Sequence, residues 1–297
     1  MKFTKVEGCG NHFILIDEIN APLSLSCNGH PTQEVLSREE IRALCDPHFG
    51  IGADGILWVR GHTQDDSSQE TLSDSIRYEM IVYNADGSLA EMCGNGLRCV
   101  VWYLHKHYQY CADPQDSEHM LTGAGLLKVS VDARGLVSVE MGWPRVHTSL
   151  REEMSSLSGQ LRLSHDELDK VGCYSLGNPH FVTYDVDHFK SRSILGPLWE
   201  RAPRDGVNVS FAEVVNREAI KLHVYERGCG WTYGCGTGAC AAVYHGYLND
   251  RFDDGATIDV ELPGGHLMIE ISARGLVMWG GAREVYRGEL LTSASQG

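Results

Sequence analysis

The feature that most constrains this chain is a short turn that occurs twice. Cys93-Gly94-Asn95-Gly96-Leu97-Arg98-Cys99 and Cys235-Gly236-Thr237-Gly238-Ala239-Cys240 both read C-G-x-G at a helix start, about half of the 297-residue chain apart. The first follows a strand-like run, Arg77 to Tyr83, and opens a helix through Leu97, Val100, Val101, Tyr103 and Leu104. The second follows Ile220 to Tyr225 and opens a helix from Ala239 to Leu248, whose Ala-rich face suits close packing. Strand, Gly-rich turn and helix in each half predict two similar halves. Facing each other, they would bring both cysteines together.

The remaining pattern is strand-rich. Phe3 to Val6 and Phe13 to Asp17 are joined by Gly8-Cys9-Gly10-Asn11, and Ser37-Arg38-Glu39-Glu40 is a capping box for a helix through Ile41, Leu44 and Cys45. A strand follows at Ile56 to Val59, and Gly61 to Ser75 reads as a solvated loop. After a polar break near Asp113 to Glu118, Leu126 to Val131 and Leu136 to Met141 read as paired strands around Asp132-Ala133-Arg134-Gly135, with a domain boundary nearby. Further strands are expected near Tyr174 and at Phe181 to Tyr184, Val207 to Phe211, Thr257 to Glu261 and His266 to Ser272.

Composition excludes several functions. With 25 Lys+Arg against 40 Asp+Glu the net charge is −15, which argues against nucleic-acid and anionic-membrane binding. The N-terminus has no apolar signal core, and no run approaches a membrane span of roughly 18 to 20 residues. A reducing cytoplasm is the default, so the ten cysteines are first read as packing, as for Cys9, Cys27, Cys45, Cys111 and Cys173.

Cys93 and Cys235 are different. A thiol in the first turn of a helix meets unpaired N–H groups and the positive end of the helix dipole, which favour a thiolate. The same place attracts a carboxylate, and the glycines let backbone N–H groups approach it. Two such turns suit inversion of a stereocentre, which needs a base on one face and an acid on the other; thiolate and thiol can exchange those roles, and no cofactor is required. The α-proton of an amino acid is weakly acidic, so donors in a dry pocket must stabilise the developing charge.

Other readings are weaker. Zinc on Cys229, Cys235, Cys240 and His245 fits no usual spacing, because no C-x-x-C occurs. Gly50-Ile51-Gly52-Ala53-Asp54-Gly55 matches G-x-G-x-x-G but follows a helix and precedes a strand, the reverse of the dinucleotide order. A Cys-His hydrolase could use His180, yet it needs one nucleophile and leaves the duplicated turn unexplained.

Taken in order, Gly8-Cys9-Gly10-Asn11, Asn84-Ala85-Asp86-Gly87, Cys93-Gly94-Asn95-Gly96, Gly177-Asn178-Pro179-His180, Val207-Asn208, Tyr225-Glu226-Arg227-Gly228, Cys235 to Ala242 and Leu262-Pro263-Gly264-Gly265 are similar to the diaminopimelate epimerase family. The resemblance runs nearly end to end. It implies an α+β fold of two pseudo-symmetric domains, each a barrel-like, mostly antiparallel sheet around a central helix, with the active site in the cleft between them. The halves are expected at 1–122 and 123–297, with a strand near 283–297 returning to the first.

The resemblance further implies epimerisation of LL- to meso-diaminopimelate in lysine and cell-wall precursor biosynthesis, with Cys93 and Cys235 as the acid/base pair. Asn11, Asn84, Asn178, Asn208, Glu226 and Arg227 look like the substrate-binding set. The N–H groups of Gly94, Asn95, Gly236 and Thr237 would hold the reacting carboxylate, His180 would orient a neighbour, and a homodimer is implied. The chain departs from the family at His12, at Gly55 where some members have Gln, and at Trp231 and Tyr233. These departures bear on substrate identity, leaving a racemase of another amino acid or a catalytically silent amino-acid binder as alternatives.

Overall fold

The computed structural model describes residues 1–19, 36–61, 76–90 and 92–290. Cys27 and the expected loop from residue 62 to 75 lie outside the described residues. The chain divides into two compact units: Met1–Val137 together with the C-terminal segment that starts at Ala282, and Ser138–Gly281.

The first unit runs β1 (Lys2–Gly8), β2 (Asn11–Asp17), α1 (Arg38–Cys45), β3 (Gly55–Gly61), β4 (Ile76–Asn84), β5 (Leu89–Ala90), α2 (Gly94–Tyr108), β6 (Glu118–Thr122) and β7 (Gly125–Val131). Cys9 (φ 54°) and Gly10 (φ 83°) are both left-handed, the geometry of a two-residue hairpin turn that matches strand twist. Gly8 therefore pairs with Asn11, and Asn11 becomes the first residue of β2. The helix α1 starts at the expected capping box: Ser37 and Glu40 each accept from the other's backbone N–H. Its Ile41 and Cys45 pack on Ile14, Ile16, Ile56 and Trp58. Strand β6 begins where the sequence showed a polar break, and β7 pairs with it through Thr122 and Gly125.

The second unit runs β8 (Val137–Gly142), β9 (Arg145–Val146), α3 (Thr148–Ser156), α4 (Ser158–Leu161), α5 (His165–Leu168), β10 (Gly172–Ser175), β11 (Pro179–Thr183), α6 (Val186–Lys190) and α7 (Arg192–Glu200). It continues with β12 (Asn208–Asn216), β13 (Ala219–Glu226), β14 (Gly230–Trp231), α8 (Gly236–Leu248), β15 (Thr257–Leu262), β16 (Gly265–Ser272) and β17 (Gly275–Gly280). The chain then returns to the first unit as β18 (Arg283–Glu289), antiparallel to β1.

Both units follow one topology. In the first, β1 and β2 form a hairpin, β2 is parallel to β3, β3 and β4 are antiparallel, and after α2 the chain re-enters at β6 parallel to β4 before turning back as β7. The second repeats this with β10, β11, β12, β13, α8, β15 and β16. The helix α2 touches β1, β2, β3, β4, β7 and β18, and α8 touches β10, β11, β12, β13, β16 and β17. Each sheet therefore curls around its helix. That explains why Ala239, Cys240, Ala241, Ala242 and Val243 are all completely buried: a helix enclosed on every side has no polar face.

Candidate active site

Both cysteine turns have the same geometry. Cys93 is the N-cap of α2 (φ −138°, ψ 107°), with Gly96 N donating to its Sγ at 3.4 Å. Cys235 is the N-cap of α8 (φ −127°, ψ 106°), with Gly238 N donating at 3.4 Å. Each sulfur thus takes the place of a capping oxygen at the positive end of a helix. Glycine at the donor position keeps the space beside each sulfur clear. A Cβ on Gly96 would stand 3.4 Å from the Cys93 sulfur and 2.7 Å from Leu57, and one on Gly238 3.2 Å from the Cys235 sulfur.

In the first unit, Asn11 and Asn95 join directly: Asn95 Nδ2 donates to Asn11 Oδ1 at 2.6 Å. Two residues that the sequence reading did not assign to the site complete this cluster. Arg98, wholly buried, donates to Asn95 Oδ1 at 2.9 Å, and Asp54 Oδ2 accepts from Asn11 Nδ2 at 3.2 Å and from His12 N at 2.9 Å. Their signal in the sequence is faint: Arg98 is a charge inside an apolar helix, and Asp54 lies in a Gly-rich turn. Asn84, at the exposed end of β4, donates to Ser88 Oγ at 2.9 Å, and the N–H of its neighbour Ala85 donates to the Asp54 carbonyl at 3.2 Å.

The departure at Gly55 has a local cause. Gly55 pairs with Asn84 across β3 and β4, and a Cβ there would approach the Tyr83 carbonyl oxygen to 2.3 Å. His12, the second departure, has its Nδ1 3.1 Å from Lys5 Nζ, which also donates to the Gly52 carbonyl. Burial lowers the Lys5 pKa against the pull of Asp54 and Cys45.

In the second unit the candidates form a chain of polar contacts ending on sulfur. His180 Nε2 lies 2.9 Å from Asn178 Oδ1, Asn178 Nδ2 donates to Thr237 Oγ1 at 3.3 Å, and Thr237 Oγ1 is 3.5 Å from Cys235 Sγ. His180 is fully buried, and desolvation, helped by Arg227, lowers its pKa to about 3. A neutral imidazole held on Asn178 orients that amide; Asn178 and Thr237 separate it from Cys235, unlike a Cys-His hydrolase pair. Asn208 Nδ2 donates to the Pro179 carbonyl and its Oδ1 accepts from Arg227 N at 3.0 Å, which fixes the turn carrying Glu226 and Arg227.

Cys235 lies between opposing influences. Burial raises its pKa well above the usual thiol value, Glu226 raises it further, and Thr237 and the Gly238 N–H oppose them. Glu226 is itself held by Thr232, whose hydroxyl donates to Oε1 at 2.5 Å. Trp231 packs edge-on to Tyr225 at 5.2 Å, and Trp231 and Tyr233 line a cavity of about 560 Å³ with Lys190, Arg192 and His223.

Among the described residues, no group of three or more His, Cys, Asp or Glu side chains is placed to hold a metal. Of the four residues considered for zinc, Cys229 is exposed, and His245 Nδ1 lies 2.8 Å from the Tyr174 hydroxyl with Nε2 3.0 Å from the Lys170 carbonyl.

This fold is shared with solved structures. A predicted epimerase from Pseudomonas aeruginosa superposes with a TM-score of 0.63 at 13% identity, covering 98% of this chain and 99% of the other. A probable proline racemase from Agrobacterium radiobacter K84 gives 0.61 at 13% identity, covering 99% and 94%. The architecture is therefore one used by racemases and epimerases. Within that group the chain belongs to the diaminopimelate epimerase family, whose model matches residues 3–147 and 172–285. Diaminopimelate epimerases of Nostoc punctiforme and a Cyanothece species are 38% and 37% identical to it, each over 98% of this chain and 99% of the relative. It is an isomerase. Among the described residues, no helix is long and apolar enough to cross a membrane.

Proposed function

We propose that this chain interconverts LL- and meso-diaminopimelate by moving a proton between two thiols, with no cofactor. One cysteine, as thiolate, takes the α-proton and becomes a thiol. The electron pair left on the α-carbon delocalises into the adjacent carboxylate, held by the N–H groups of Gly94, Asn95, Gly236 and Thr237. The other cysteine gives its proton to the opposite face of the carbon and becomes the thiolate, so one proton is removed and one returned. Arg227 takes the distal carboxylate and Glu226 an ammonium group, while Asn11, Asn84, Asn178 and Asn208 fix the orientation.

The observation that carries this reading is the matched pair of capping cysteines in a chain of this family. Burial and Glu226 favour the protonated form of Cys235, which suits it to donate a proton in the substrate-free protein. We also propose a cytoplasmic setting and a homodimer, with no nucleic-acid or membrane partner, in keeping with the net charge of −15.

The test is a chiral assay with LL- and meso-diaminopimelate in D2O. The wild type is expected to incorporate solvent deuterium at the inverted carbon. Cys93→Ala and Cys235→Ala are each expected to lose about a thousandfold or more in epimerisation, the scale of a lost acid or base. Full activity in either variant overturns the two-base reading. A second reading, a racemase of another amino acid, draws on the departures at Trp231 and Tyr233; inversion of an ordinary L-amino acid in place of diaminopimelate would favour it. A folded wild type that binds but inverts nothing would make it a silent binder.

A further inference from the structure

We infer that Asp54 and Arg98 are positioning residues, which together lock the side-chain amides of Asn11 and Asn95 into one orientation. An asparagine amide is nearly symmetric in shape, so its donor and acceptor ends exchange places unless neighbours discriminate them. Here both ends of the chain discriminate. The Arg98 guanidinium can only donate, so the atom 2.9 Å from its Nη2 must be the Asn95 oxygen. Asn95 Nδ2 is then turned to Asn11 Oδ1 at 2.6 Å, which leaves Asn11 Nδ2 directed at Asp54 Oδ2, 3.2 Å away. An ionised carboxylate can only accept, and the same oxygen is pinned by His12 N at 2.9 Å.

All side-chain bonds of the relay run from the cation to the anion. Flipping Asn95 would set an N–H group against the guanidinium, and flipping Asn11 would set oxygen against the carboxylate. Arg98 is wholly buried and Asn95 is 4% exposed, so water offers little compensation for a reversed amide. The relay spends one N–H of Asn11 on Asp54 and holds its second N–H in a fixed direction as a donor. That donor selects a ligand atom with a lone pair, such as a carboxylate oxygen. The second unit has no equivalent cation, because Cys240 stands where Arg98 stands relative to the repeated cysteine.

The inference rests on the proposed function only for the role of Asn11 in binding substrate, and its test reads the relay with and without turnover. Asp54→Leu removes the acceptor while keeping size, so the Asn11 amide is no longer directed. Its KM is expected to rise about tenfold while kcat stays within about threefold, the signature of lost binding rather than lost chemistry. Arg98→Lys keeps a buried donor and is expected to retain KM within about threefold of wild type, whereas Arg98→Met is expected to lose both KM and melting temperature.

Asp54→Asn separates the direction of the amide from the charge beside it. It keeps an oxygen that accepts from His12 N and from Asn11 Nδ2, although the anion is gone. It is expected to keep KM within about threefold of wild type; a tenfold rise there, or an unchanged KM in Asp54→Leu, would overturn the inference. Side-chain amide hydrogen exchange at Asn11, followed by NMR, is independent of activity. Exchange is expected to be slow in wild type and faster in Asp54→Leu, and equal rates overturn the relay. A wild type inactive on every diaminopimelate isomer overturns the proposed function instead, and the exchange comparison still decides the relay.

Discussion

At the scale of single residues, the protonation of Cys235 is set by two side chains acting in opposite directions. Glu226 places negative charge beside the sulfur and favours the thiol, while the Thr237 hydroxyl can donate to the sulfur and favours the thiolate. The thiolate is the species that alkylates, so the rate reports this balance. Glu226→Gln is expected to lower the Cys235 pKa and speed its alkylation near neutral pH, and Thr237→Val to raise the pKa and slow it. Mass spectrometry of the Cys235 peptide after a timed exposure to iodoacetamide measures both; equal rates in the two variants would mean that neither group acts on the sulfur. The cysteine pair was legible in the sequence because it is a repeat. Thr232, Asp54 and Arg98 were not, because each acts through a contact rather than a motif: Asp54 meets Asn11 across a fold, and Thr232 meets Glu226 only once β14 turns back on β13.

At the scale of elements, legibility followed local signals. The Ser37 capping box and the left-handed Cys9-Gly10 turn each specify their structure within a few residues, and the structure has them where the sequence suggested. Among the helices α3 to α7, Ser164 and Glu167 make a capping box at α5 that the sequence reading passed over, and Asp185 caps α6 by accepting from Asp187 N and His188 N. These helices span four to nine residues, too short to display a stripe, and α3 is capped by a histidine, His147, rather than by Ser, Thr, Asp or Asn. What holds them is distant: Leu150, Met154, Leu161, Leu195 and Trp199 share a core with Phe181, Val209 and Phe211. Trp199 is the anchor. Its ring stacks on Phe211 at 5.4 Å, meets Phe181 edge-on at 5.3 Å, and its Nε1 donates to the Leu161 carbonyl at 2.9 Å, tying α7 to α4. Trp199→Ala is expected to cost about 3–5 kcal/mol, read from urea unfolding, through the cavity and the lost contacts. A loss below about 1 kcal/mol would mean that the helices are held by something other than this core.

At the scale of the whole molecule, buried titratable groups in both units confine stability to a pH window. His180, His223 and His245 all have pKa values lowered chiefly by burial, His180 to about 3. Folding lowers the affinity of each for a proton below its usual value near 6.5, so their contribution is present above that pH and is lost as pH falls. At about 1.4 kcal/mol for each tenfold difference in proton affinity, His180 alone accounts for several kcal/mol by a pH of about 3. The alkaline edge has the opposite sign. Burial pushes Cys45 up to about 11, and Cys111 and Cys173 to about 12, against a usual thiol value of 9.0. These groups stay protonated when folded and ionise when unfolded, so their contribution is complete below 9.0 and disappears as pH rises through the folded values. Lys5 runs counter to them, since its lowered pKa costs stability while it is charged and that cost fades as pH rises. Three thiols outweigh one lysine. Urea midpoints for the reduced protein are therefore expected to be highest at about pH 7.5 and to fall at both about pH 5 and about pH 10. A midpoint unchanged at the acid end would require the buried histidines to be protonated in the fold, and one unchanged at the alkaline end would require the core thiols to ionise without unfolding it.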